Sequence, residues 1–167
     1  MGLFTADIET LDDLFLHTLQ DIYYAENQIT KALPKMISMT TDQQLRASFE
    51  QHLRETEMQI ERLKEVFEMH GTSPKQVNCP AIDGIIKETN QISGEIRDKE
   101  VLDAALTAAA QAVEHYEITR YGTLIAWAKQ LGRNDCAGVL QQNLDEEYAT
   151  DKKLTALAES KVNRLAL

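Results

Sequence analysis

Acidic residues stand where helices should carry apolar ones. Leu19, Ile22, Glu26, Ile29 and Leu33 follow one another at intervals of three and four, the spacing that lines one face of an α-helix. Glu26 therefore occupies a core position. The same alternation gives Leu140, Leu144, Glu147, Asp151 and Leu154, with two acids in the middle. It gives Leu106, Ala110, Glu114, Glu117, Tyr121 and Leu124, with two more. A fourth stripe, Phe49, Leu53, Thr56, Ile60 and Leu63, carries His52, Glu55 and Gln59 along its flank.

A carboxylate withdrawn from water without a partner is strongly destabilising unless it takes up a proton. Four helices that each bring acid to mid-length need a shared compensation, and divalent cations supply it. Two such ions balance Glu26, Glu55, Glu114 and Glu147; Glu117 and Asp151 exceed that balance, so some of these six are protonated or stand outside the ligand set. The candidate metal ligands are Glu26, Glu55, Glu114, Glu117 and Glu147, with Glu57 an alternative to Glu55. Gln59 and Asp151, one turn further along their helices, are additional ligands or orienting groups. Surface solvation accounts for most other acids, among them Glu9, Glu50, Glu61, Glu65, Glu68, Glu88 and Glu100.

Histidine is scarce at this site. Two-metal carboxylate bundles take a Glu-x-x-His pair from each of two helices, but Met58 stands three residues after Glu55 and Thr150 three after Glu147. Only Glu114 and Glu117 keep the spacing, with a second acid in place of the imidazole. His52, one turn before Glu55 on a similar face, reads as a packing or hydrogen-bonding residue with metal ligation the second reading. His115 is turned about 100° from Glu114 on the helix, and His17 and His70 read as structural or exposed. An all-oxygen set suits Fe, Mn, Mg or Ca better than Zn or Cu. Tyr23, Tyr24, Tyr116 and Tyr121 read first as core packing with a hydrogen-bonded hydroxyl, with carboxylate orientation the alternative for Tyr23 and Tyr121. Trp127 reads as core or dimer interface.

Positioning these residues takes four long helices. The first begins near Thr5 or Thr10, with Asp7, Glu9, Asp12 and Asp13 around its positive end. It runs through Leu33, and Pro34 kinks or ends it, unless Met36, Ile37 and Met39 carry it one turn further. The second starts after Asp42, a good N-cap, and closes at His70 with Gly71 as the C-cap. The third spans Asp98 to Leu131, and the fourth runs from Asn134 to about Asn163. Between Gly71 and Arg97 lies a connector with one short amphipathic segment, Ala81 to Ile92. Nowhere do apolar residues recur at two, so no strand is expected.

Loop lengths set the topology. A few residues join helices one and two, and likewise three and four, so each pair is an antiparallel hairpin. The long connector reaches from one end of a roughly 42 Å helix to the other. Two hairpins and one long crossover describe an all-α, ferritin-like four-helix bundle with a short fifth helix, one domain over residues 1–167. A net charge of −10 disfavours nucleic acid and suits cation binding. Cys79 and Cys136 form no metal or redox motif and read as free thiols in a reducing compartment. The start of the chain lacks a basic and apolar leader, and no stretch is long and apolar enough to span a membrane, so a cytoplasmic location is expected.

The stretches Asp21 to Gln28, His52 to Arg62, Ala110 to Leu124 and Leu144 to Asp151 resemble the YciE/YciF family of bacterial stress-associated proteins. The likeness extends over nearly the whole chain, crossover helix included. It implies a ferritin-like fold, a homodimer, and a site similar to that of rubrerythrins. Three functions compete. One is a di-iron or di-manganese oxidoreductase, a peroxidase or ferroxidase acting on a small oxidant. The second is a non-catalytic metal-holding stress protein, and the third is a structural or partner-binding bundle in which Lys or Arg, such as Arg120 or Lys152, neutralise the acids.

Overall fold

The computed structural model describes residues 7–167. Five helices account for most of it: α1 Leu11–Met39, α2 Gln43–His70, α3 Pro80–Glu95, α4 Lys99–Gln130 and α5 Asn134–Leu157. After α5 the chain makes a π-helical turn, Ala158–Val162, and a last helical turn, Asn163–Leu165. Local chemistry explains the boundaries. Thr10 and Asp13 cap the start of α1 reciprocally, each side chain accepting the other's backbone N–H; the alternative start at Thr5 lies outside the described residues. Asp42 accepts from the amides of Gln44 and Leu45, each at 2.9 Å. Gly71 ends α2 at φ +82°, a conformation a side chain would strain.

Pro34 neither ends nor breaks α1. The helix continues through it to Met39, with Pro34 exposed while Leu33 and Met36 stay in the core. Burial of the apolar face holds the last turn despite the missing amide donor.

The long helices close a ring in which α1 packs on α2, α2 on α5, α5 on α4 and α4 on α1. Between α2 and α5 the residue numbers rise on one helix as they fall on the other: Lys153 donates to Gln51, Thr150 to Glu55, Gln59 to Glu146 and Arg62 to Asn143. Helices α1 and α4 are antiparallel too, since Tyr121 meets Glu26 while Asp103 meets the turn after α1. Consequently α2 ends at one end of the bundle and α4 starts at the other. The α3 segment climbs the outside alongside α1, joined to it from Val77–Gln20 through Tyr24–Asp83 to Lys35–Asn90. This is the ferritin-like crossover.

One buried carboxylate pins that topology. Asp103, on α4, accepts from Thr41 N, Thr41 Oγ1 and Asp42 N at 2.9, 2.6 and 2.8 Å. It thereby ties the α1–α2 turn to the start of the second hairpin. Asp103→Ala is expected to cost about 2 kcal/mol, because it removes a buried charged acceptor of three part-buried hydrogen bonds; urea unfolding would measure it.

Phe15, Leu19, Phe49, Leu63, Phe67, Leu124 and Leu140 are fully or almost fully buried and belong to one continuous apolar cluster. Among the described residues, no helix is long and apolar enough to cross a membrane.

Candidate metal centre

At mid-length the interior turns from apolar to acidic. Glu26 of α1, Glu114 and Glu117 of α4 and Glu147 of α5 have no solvent exposure, and His52 of α2 has 3%. Their ligand atoms gather into two groups, His52–Glu114–Glu147 and Glu26–Glu117–Glu147, each with its atoms within 4.8 Å of one another. Glu147 belongs to both. The stripes of the four helices place these residues at one level because each helix passes mid-length there, and antiparallel packing brings the levels together.

These groups have few protein partners. Both oxygens of Glu114, Glu117 and Glu147 lack hydrogen bonds, as do Oε2 of Glu26, Oε1 of Gln59 and Nδ1 of His52. His52 Nε2 lies 3.3 Å from Glu114 Oε1, near enough for an ion pair but without hydrogen-bond geometry. Buried polar atoms are seldom left this way. Apart from His52, no basic side chain pairs with these four acids among the described residues: Arg62 pairs with Glu146, Arg120 with Asp21, and Lys152 is exposed.

The electrostatics follow from burial. It lifts the Glu26 carboxyl to about 8, helped by the neighbouring Glu147 charge. Burial also holds Glu114 and Glu117 well above the ordinary carboxylate range and raises Glu147. His52 goes the other way, pushed down to about 4 because its charged form is excluded from the interior. A neutral imidazole is the form that binds a metal. Four carboxylates and one neutral histidine match the +4 of two divalent ions, and the unpartnered oxygens are the donors such ions take. The residues fit a two-metal centre.

Tyr121 supports this arrangement. Its ring is fully buried, and its hydroxyl donates to Glu26 Oε1 while Asn143 Nδ2 donates to that hydroxyl at 3.1 Å. Asn143 is held in turn by Arg62 at 3.0 Å. Tyr121→Phe removes the donor to buried Glu26 Oε1 and one of two acceptors of Asn143 Nδ2, and is expected to lower stability by about 1–3 kcal/mol, measurable as a shift in the urea midpoint. Tyr23 plays no such part; its ring packs edge-on against Phe67 at 5.4 Å.

The structure brings Glu26, Glu114, Glu117 and Glu147 together, with Gln59 beside them: its Nε2 donates to Glu146 at 3.0 Å, and its amide lies against Glu147. It does not bring in Glu55 or Asp151. Half-buried Glu55 accepts from Gln51 at 2.6 Å and Thr150 at 3.3 Å. Asp151 accepts from Gln111 at 3.1 Å and stands 3.2 Å from the exposed His115, while Thr150 faces inward in its stead. Glu57 is exposed.

His52 lies within the buried stripe of α2, whereas the sequence places it on the flank. The buried stripe of α2 is Phe49, His52, Thr56, Gln59 and Leu63, also spaced at three and four. Reading Leu53 as core turned the expected stripe by one residue; Leu53 is only half-buried. Two stripes shared Phe49, Thr56 and Leu63, and hydrophobicity alone favoured the wrong one.

Fold and site define a ferritin-like bundle with a buried, carboxylate-rich centre able to hold metal. The chain belongs to the family described as Domain of unknown function (DUF892), whose pattern matches residues 10–167. It is 46% identical over 161 residues to Protein YciF of Escherichia coli K12, covering 96% of this chain and 97% of that one. The crystal structure of the E. coli stress protein YciF superposes with a TM-score of 0.89 over 93% of this chain and 99% of that one. YcfI of Rhodopseudomonas palustris is 59% identical, with a TM-score of 0.90 over 92% of this chain and 98% of that one. A Xanthomonas campestris protein, 21% identical, shares the fold, with a TM-score of 0.75 over 95% of this chain and all of that one.

Proposed function

We propose that this chain holds two divalent ions between α1, α2, α4 and α5 and uses them in handling peroxide or iron under stress. The observation that carries the reading is the pair of three-ligand groups that share Glu147 while most of their oxygens lack any protein partner. An oxygen-rich set with one imidazole suits Fe or Mn, with Mg or Ca able to occupy the all-oxygen half. Bound Fe or Mn would supply one-electron redox chemistry and polarise a peroxide oxygen. The protein's own part is to position and exclude. Tyr121 holds Oε1 of Glu26 so that Oε2 remains free, Gln59 and Asn143 fix the neighbouring polar groups, and the apolar layers above and below keep bulk water out. Glu55 and Asp151 flank this arrangement, held by Gln51 and Thr150 and by Gln111. The likeness to a stress protein supports the physiological setting.

The assembly that fits is a homodimer in the cytoplasm, which sedimentation or light scattering of the purified chain would check. The test of chemistry is hydrogen peroxide consumption after loading with Fe(II) or Mn(II). Turnover by the loaded protein and none by the metal-free one is expected; no turnover with either metal reduces the reading to metal holding. Absence of bound metal by elemental analysis after loading would leave a structural or partner-binding bundle whose acids are kept neutral by burial.

A further inference from the structure

His52 faces two spaces. One is the acidic centre; the other is a cavity of about 320 Å³ between α1, α3 and α4, in whose wall His52 is the one buried ionisable residue. Apolar side chains make most of that wall: Ile29, Leu33 and Met36 from α1, Ile86 from α3, and Ala110 and Val113 from α4. The volume falls at the small end of the range for organic ligands, about 300–1,000 Å³. A bare oxidant such as hydrogen peroxide needs no space of this size or character.

The rim is basic in a chain whose net charge is −10. Lys31 and Lys35 line the cavity four residues apart on one helix face, both exposed. Like charges at that spacing repel, and no carboxylate of the described residues is in ion-pair contact with them: Lys35 donates to the neutral Asn90 at 2.6 Å. The one acid on the rim, Asp83, is engaged by the Tyr24 hydroxyl through both oxygens, at 3.0 and 3.1 Å.

We propose that this cavity binds an amphiphilic organic anion, an apolar chain bearing one carboxylate, with the charge at Lys31 and Lys35 and the chain lying inward against His52. The opposite orientation is disfavoured because it would take a carboxylate out of water against Ile29, Leu33 and Val113 without a cationic partner, while Lys31 and Lys35 stand at the rim. Eight residues of α1 line the cavity between Gln28 and Met39, a span of roughly 16 Å of helix, long enough for a chain of medium length. The binding claim stands on the cavity itself. That the bound chain reaches the metal centre rests on the two-metal reading above.

Calorimetry with sodium decanoate below its micellar concentration tests the claim on the metal-free chain. Saturable one-to-one binding is expected, at least tenfold weaker in Lys31→Glu/Lys35→Glu and lost in Ala32→Trp, whose indole takes up the cavity's space. Circular dichroism confirms folding of Ala32→Trp, and the surface lysine pair provides an independent variant. No saturable binding, or binding unchanged in both variants, overturns the proposal; equal affinity for decylamine overturns its anionic part. With Co(II)-loaded protein, decanoate is expected to shift the visible Co(II) bands in the wild type and not in Ala32→Trp. Binding that leaves the Co(II) bands unchanged overturns the contact with His52. Failure of Co(II) to bind at all refutes the metal reading alone, and calorimetry then decides the cavity by itself.

Discussion

Replacing Glu147 with Gln is expected to take the metal content of the loaded protein from two ions per chain to almost none, whereas His52→Ala removes one. The asymmetry follows from the geometry. Glu147 contributes to both ligand groups, and His52 to one. An amide in place of the shared carboxylate removes a negative charge and a bidentate acceptor from both at once. Elemental analysis after Fe(II) or Mn(II) loading and desalting measures the content directly. Thermal unfolding gives an independent readout, because an ion at one hundred times its Kd stabilises the folded state by about 2.7 kcal/mol. In a domain of this size that raises Tm by roughly 5–10 °C per site. The wild type should show the full rise, His52→Ala about half, and Glu147→Gln next to none. Two ions retained by Glu147→Gln would mean that the shared carboxylate is no ligand.

Metal-free protein should be more stable at pH 5 than at pH 9. Glu26 titrates at about 8 when folded, against an ordinary 4.5. A raised folded pKa means that protonation favours the folded state. Its contribution is complete below about 4.5 and disappears as pH climbs through about 8. The difference across that window is on the order of 5 kcal/mol for this one group, and Glu114, Glu117 and Glu147 act in the same direction. His52 opposes them. Its folded value of about 4 lies below the ordinary 6.5, so its contribution is present above 6.5 and disappears as pH falls through 4. Several carboxyls outweigh one imidazole between these limits, so the melting temperature of the metal-free chain should fall steadily from pH 5 to pH 9. Loading with Mn(II) should reverse the trend around neutrality, because each ion displaces protons from its ligands and binds more tightly as pH rises. A metal-free melting temperature that is flat or rises over this range would show that the four acids are already charged and compensated.

Both experiments weigh one fact about this fold: the residues that weaken the empty bundle at neutral pH are those that would bind the ions. Leu in place of Glu117 is therefore expected to trade affinity for stability.

The sequence by itself determined the elements and their order. Asp42, Gly71 and Asp98 mark helix ends to the residue, because a cap is a local event that needs only neighbouring amides. Two short turns and one long connector were enough to specify paired hairpins with a crossover. Glu26, Glu114, Glu117 and Glu147 were legible as intruders, since one acid in an otherwise apolar stripe identifies its own face. Tertiary structure alone decided which way α2 turns. His52 and Leu53 differ by about 100° on the helix, and both satisfy a spacing of three and four with the same flanking residues. Only packing against α1 and α5 selects the imidazole. The same holds for Thr150 over Asp151, and for Glu55, which Gln51 and Thr150 keep at the edge. Periodicity fixes a face only to within a residue. A metal centre is defined by distances between helices, and those exist only once the bundle has closed.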